Sequence, residues 1–226
     1  MSSLFPNIYQ SFKLFSRKRK IKEIKMAVSP HFSLAAIFTL FLFTTNPNYC
    51  QAYRKVLSSD TNTEFIKTSC AATTYPDLCF ASFSSYATEI QADPKILATK
   101  SLNLTLNTTL SASQNLTELC KTQGIKPTEA APLHDCVEEI SDSVDELTKS
   151  IPEMEEIEGK SFAFRMSDIQ TWVSAALTDE DTCMDGFSET TMDGNVKASV
   201  RIVIEKVAQL TSISLAFINQ YARTKK

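Results

Sequence analysis

Glycine is nearly missing from this chain, at 4 of 226 residues. So few flexible positions disfavour turn-rich β folds and leave no Gly-rich loop to cradle a phosphate. Neither a P-loop nor a G-x-G-x-x-G fingerprint occurs. Histidine is scarcer still, with only His31 and His134. A zinc centre needs several ligands at set spacings, and His134 has only Cys136 close by in sequence. No nucleophile elbow accompanies His134, so a Ser-His-Asp hydrolase is not indicated. The expectation is no catalytic residue, no metal site, no cofactor and no enzyme activity.

A long apolar run is also lacking. HFSLAAIFTLFLF (residues 31–43) is about a dozen residues long, against roughly 20 for a membrane span. The basic stretch SRKRKIKEIK (residues 16–25) precedes it. Together they describe a secretory signal with cleavage after Ala52, and Met26 is the natural start of such a signal. A signal anchor is the rival reading. Residues 1–52 hold seven Lys/Arg and one Glu, so their removal leaves 16 basic and 25 acidic residues, a net charge near −9. Such a surface argues against nucleic acid and anionic membranes, and favours a basic partner. The mature chain is expected to be extracellular, without stable membrane anchoring. Cys50 leaves with the signal. Cys70, Cys79, Cys120, Cys136 and Cys183 remain. In an oxidising compartment these make two bridges and one leftover thiol.

Residues 53–63 lack an apolar period and read as a flexible leader. Residues 64–92 carry Phe65, Ile66, Leu78, Phe80, Phe83 and Tyr86 in short helical patterns broken at Pro76, which suggests a helical hairpin. Four longer amphipathic helices follow in residues 93–223. The first covers roughly Asp93 to Thr122, with Ala98, Leu102, Leu106, Leu110, Leu116 and Cys120 in one arc. This places Cys120 in the core. The second covers Pro127 to Ile151, with a seam of Leu133, Val137, Ile140, Val144, Leu147 and Ile151. An acid-rich linker, with Pro152 and Gly159, leads to the third at Ser161 to Leu177. Its wide apolar face includes Phe164, Ile169, Trp172 and Val173, and residues 179–187 either extend it or turn after it. The fourth covers Asn195 to Arg223, entered through Asp193-Gly194, with a stripe from Val196 to Tyr221. The fold class is therefore all-α, an antiparallel up-and-down four-helix bundle with an N-terminal hairpin. Carboxylates are plentiful, but a slim bundle rarely offers the cleft a glycosidase needs between two of them.

Two surface features stand out. Asn103, Asn107 and Asn115 each begin an N-x-T sequon on the polar side of the first bundle helix, and are candidate glycan acceptors. On the second helix Glu138, Asp142 and Asp145 form an acidic stripe, either a solvated face or a docking surface for a basic protein.

Four motifs then combine: Cys70-x8-Cys79 enclosing Tyr75-Pro76-Asp77-Leu78, LHDCVEE (residues 133–139), IQTWVSAALT (residues 169–178) and DTCMDGF (residues 181–187). In this order they resemble the plant invertase and pectin methylesterase inhibitor family, over about residues 64–222. The resemblance implies a four-helix bundle with bridges Cys70–Cys79 and Cys136–Cys183, leaving Cys120 unpaired. It implies a one-to-one complex that covers the pectin-binding cleft of a pectin methylesterase, or alternatively inhibition of an acid invertase. Invertase inhibitors insert a Pro-Lys-Phe segment. Here Pro94-Lys95 is followed by Ile96, so the esterase is the expected partner, at the cell wall. Glu138, Asp142, Asp145, Thr182 and Asp185 are the positions expected to face it, and their protonation at acidic wall pH would tune binding. The domain also occurs as the pro-region of esterases. This chain reaches Lys226 just past the bundle, which reads as a free-standing inhibitor. A helical bundle that holds a small apolar ligand is the alternative of another class.

Overall fold

The computed structural model describes residues 60–188 and 195–225. The signal segment, leader residues 53–59 and the Asp193-Gly194 turn lie outside the described residues. Helix α1 covers residues 60–71. Residues 60–63, expected in the leader, are therefore its first turn. Asn62 is buried there, and Ile66 one turn on is fully buried. After a short turn come α2 (Pro76–Phe83), one 3-10 turn and α3 (Ala87–Ile90). Pro76 occupies the first helical position of α2, where a missing N–H breaks no helical bond. A disulfide joins Cys70 of α1 to Cys79 of α2, with Cα atoms 5.5 Å apart.

Four long helices follow: α4 (Pro94–Cys120), α5 (Pro127–Glu155), α6 (Phe162–Asp185) and α7 (Asn195–Arg223). Asp93 caps α4, its Oδ1 accepting from the backbone N–H groups of Lys95 (2.7 Å) and Ile96 (3.2 Å). Helix α5 runs beyond Ile151 and through Pro152. That proline removes one backbone donor near the helix end. Beyond it, Met154 and Ile157 are both fully buried, and this burial holds the chain in place. The break falls instead at Gly159, where φ is +72°. Helix α6 continues unbroken through DEDTCMD, so that segment extends the helix rather than turning after it.

Helix α4 packs on α5 and α7, and α6 packs on the same two, with few contacts between α5 and α7. That is the up-and-down square expected from short links. The hairpin docks at one end through Phe83, whose ring meets Phe217 of α7 edge-to-face at 5.6 Å. A second disulfide ties Cys136 of α5 to Cys183 of α6, with Cα atoms 4.3 Å apart. By loop entropy the two bridges contribute about 3 and about 4 kcal/mol.

The buried faces differ from the expected stripes in an instructive way. On α4, Ala98, Leu102 and Leu116 are buried, but Leu110 is 39% exposed and Cys120 is exposed. Thr105, Thr109 and Ala112 occupy the core positions between. Threonine can enter because its hydroxyl finds a partner. Thr109 Oγ1 donates to Thr105 O (2.9 Å), and Thr105 and Ser214 hydroxyls bond to each other (2.9 Å). Continuing that row past Leu116 leaves Cys120 on the outside. On α5 the buried row is Leu133, Cys136, Ile140, Ser143, Leu147, Ser150 and Met154. Val137, Val144 and Ile151 flank it, half-buried. On α6, Phe164 is 72% exposed and does not belong to the core.

The core divides into two apolar clusters. One includes Phe83, Leu102, Leu147, Ala176 and Leu210, and the other Leu116, Ile140, Cys183, Phe187 and Val207. Where they meet, three of the long helices bring together fully buried polar residues: Ser143, Glu180 and Thr211. Glu180 Oε1 accepts from Ser143 Oγ (3.0 Å) and from Thr211 Oγ1 (2.8 Å), while Oε2 has no partner. Burial pushes the Glu180 carboxyl up to about 8, against the pull of the Thr211 and Ser143 hydrogen bonds.

This has a thermodynamic consequence. From pH about 4.5, the ordinary value, to about 8, the unfolded chain has released this proton while the folded chain keeps it. The unfolded state binds fewer protons, so stability falls as pH rises, on the order of 1 kcal/mol per pH unit from this group. Glu180→Gln removes that slope. Urea unfolding at pH 5 and pH 7.5 is expected to show a flatter pH dependence for the variant. Equal slopes in the two proteins would contradict the assignment.

Candidate functional site

The register of α5 against α6 is fixed at Cys136–Cys183 and again at Ser143–Glu180. Because the helices run antiparallel, residues shortly after Cys136 face residues shortly before Cys183. Asp179 therefore lies against Glu139, Asp142 and Glu146 of α5. Its carboxyl is pushed up to about 6, first by burial and then by those three charges. Below that pH the seam carries one negative charge fewer. Glu146 is partly covered, with Oε1 3.4 Å from Lys149 Nζ and Oε2 buried without a partner.

Of the positions singled out from sequence, Asp142 enters this seam. Glu138 and Asp145 are exposed on the same helix. Glu138 Oε1 stands 3.7 Å from His134 Nδ1, an exposed pair that contributes little to stability. Thr182 and Asp185 are exposed in the last turn of α6. The Thr182 hydroxyl donates to Thr178 O (2.8 Å), which leaves its oxygen free to accept. Glu139, Glu146 and Asp179 escaped the sequence reading. The antiparallel register implied by the Cys136–Cys183 bridge was the signal that could have found them.

The corner can offer negative charge and hydrogen-bond acceptors to a basic surface. Among the described residues no group of three or more His, Cys, Asp or Glu is placed to hold a metal ion.

The sequons lie elsewhere. Asn107 and Asn115 are exposed on α4, and Asn103 is half-buried with Nδ2 donating to Thr99 O (2.9 Å). In the square, α4 stands diagonally across from α6.

Residues 64–217 match the family model described as plant invertase/pectin methylesterase inhibitor. The chain belongs to this family. It is 47% identical over 166 residues to the "21 kDa protein" of Daucus carota, covering 72% of this chain and 86% of that one. It is 41% identical over 194 residues to "Pectinesterase inhibitor 11" of Arabidopsis thaliana, covering 82% and 96%. A crystal structure of a mutant form of a pectin methylesterase inhibitor from Arabidopsis superposes with a TM-score of 0.55 at 21% identity, over 66% of this chain and 92% of that chain. At that identity the likeness speaks for the fold, a helical bundle. The spare thiol of this family member, Cys120, is free and exposed.

That exposure is testable directly. Without denaturant, a maleimide reagent is expected to label one more thiol in the native chain than in its Cys120→Ser variant. No difference between the two until the protein is unfolded would restore the buried placement.

Proposed function

We propose that this chain is a secreted inhibitor of pectin methylesterase, which binds the enzyme one-to-one through the α5–α6 corner and covers its pectin-binding cleft. Membership of the inhibitor family supports this reading, as does 41% identity to a pectinesterase inhibitor along 96% of that protein's length. The observation that carries the docking site is the seam of Glu139, Asp142, Glu146 and Asp179, flanked by Glu138, Asp145, Thr182 and Asp185. Complementary charge of this kind speeds encounter with a basic partner and selects against acidic ones. Inhibition then follows from occlusion, without covalent chemistry.

The basic and apolar segments before residue 52 support secretion, and so do two disulfides in a chain of this size. Glycans on Asn107 and Asn115 would cover the outer face of α4 and leave the diagonal α5–α6 corner open. The invertase alternative is weakened because Pro94-Lys95-Ile96 replaces Pro-Lys-Phe and starts α4 at the hairpin end. The small-ligand alternative is weakened because Phe187 and Phe217 are fully buried in the bundle and Phe83 packs on Phe217 at its hairpin end.

The test is inhibition of a pectin methylesterase and, separately, of an acid invertase. We expect the esterase alone to be inhibited. A Glu138→Ala/Asp142→Ala/Asp145→Ala variant is expected to inhibit it at least roughly tenfold more weakly. Inhibition of invertase alone would overturn the target, and full inhibition by the triple variant would overturn the docking site. Enzymatic removal of N-glycans from the secreted protein is expected to lower its mass, and Asn107→Gln/Asn115→Gln to abolish that change. An unaltered mass in the wild-type chain would rule out glycosylation of α4.

A further inference from the structure

At the hairpin end, the start of α6 and the close of α7 leave a groove of about 530 Å³. Its walls bring together three kinds of chemistry. Phe162 contributes an aromatic ring, set edge-on against Tyr221 at 5.8 Å between centroids. Gln170 and Asn219 contribute a pair of amides, with Gln170 Nε2 donating to Asn219 Oδ1 at 2.6 Å. That pairing leaves Gln170 Oε1 to accept and Asn219 Nδ2 to donate. Arg223 and Lys225 contribute positive charge. Arg223 Nε donates to Asn219 O (3.1 Å), which frees the two terminal nitrogens of the guanidinium, and Lys225 Nζ stands 5.7 Å from the Tyr221 ring centre.

Several cations of this acidic chain are paired with acids. Lys95, Lys100, Lys149 and Arg165 each face a carboxylate. Among the described residues, Arg223 and Lys225 have no carboxylate within 4.0 Å. Burial, and after it the charges of Glu158 and Asp93, raise the proton affinity of the neighbouring Tyr221 hydroxyl. Glu158 is held by Lys95 at 3.5 Å, and Asp93 by its cap bonds.

An aromatic ring, an amide donor and acceptor, and two uncommitted cations together suit a sugar ring that carries a carboxylate. Such a ring offers apolar C–H faces, hydroxyls and an anion that guanidinium binds in bidentate fashion. We propose that this groove binds de-esterified pectin, a polyuronate chain bearing free carboxylates. The choice of this polymer rests on the esterase-inhibitor reading, because ester hydrolysis converts methyl esters into those carboxylates. The net negative charge of the chain opposes diffuse attraction to any polyanion, so binding depends on the local geometry. An inhibitor held in this way would collect where the esterase has already acted.

Retention of the secreted chain on immobilised polygalacturonate, at physiological ionic strength and without enzyme, tests this. Wild type is expected to be retained there and not on the fully methyl-esterified polymer. Arg223→Gln/Lys225→Gln, with unchanged circular dichroism, is expected to bind roughly tenfold more weakly, in line with two lost charge-assisted contacts. Its inhibition of esterase should be unaltered. Absence of wild-type retention, equal retention of the double variant, or equal retention on dextran sulfate would each overturn the proposal. Failure to inhibit esterase would instead sink the inhibitor reading, and the enzyme-free retention assay keeps the two outcomes apart.

Discussion

The pairing of α5 with α6 is the constraint on which the rest of the molecule depends. One covalent link, Cys136–Cys183, sets the register, and the Ser143–Glu180 hydrogen bond adds a second tie, seven residues further along α5 and three residues back along α6. Once these are fixed, Asp179 has no choice but to lie among Glu139, Asp142 and Glu146. Like charges so close repel, and without the bridge and the packed rows on either side they would push the helices apart. The fold holds together a charge distribution that an isolated pair of helices would not tolerate.

The polar layer at the waist of the bundle is a second expression of that pairing. Glu180 is unfavourable to bury as an anion, with one oxygen unpartnered. The cost falls as the carboxyl keeps its proton, and the raised proton affinity means that it does so at acidic and neutral pH. The three polar side chains that meet there also fix the helix register, since an axial slip would separate Glu180 from the hydroxyls of Ser143 and Thr211. Stability at acidic pH and a single register thus come from the same residues.

Much of the fold was legible in the sequence. Pro127 marks a helix start, and the seven-residue spacing of Leu133, Ile140 and Leu147 gives the inner face of α5 correctly. The departures share one cause. Treating Ser, Thr and Glu as outward-facing turned the α4 stripe toward Leu110 and Cys120, and hid Ser143 and Ser150 on α5. It also hid Glu180, although Ile169, Val173, Ala176, Glu180, Cys183 and Phe187 keep strict three-four spacing. Periodicity reported the position, but polarity alone could not report the hydrogen bonds that make it tolerable. Of the candidate docking residues, Asp142 and the exposed Thr182 and Asp185 were readable from local motifs. Asp179, Glu139 and Glu146 required knowledge of which helix faces which. The groove at Phe162 and Arg223 joins residues about sixty positions apart, beyond the reach of any local pattern.

Charge is therefore distributed unevenly over the bundle. Acids collect on the α5–α6 corner around the second disulfide, uncommitted cations at the hairpin end of α7, and the sequons on α4, diagonally opposite α6. The most direct test of the arrangement is hydrogen–deuterium exchange of the chain, free and bound to a pectin methylesterase. Docking through the corner predicts slowed exchange over residues 138–146 and 179–185, with α4 unchanged. Protection confined to α1–α3 or to α4 would contradict it.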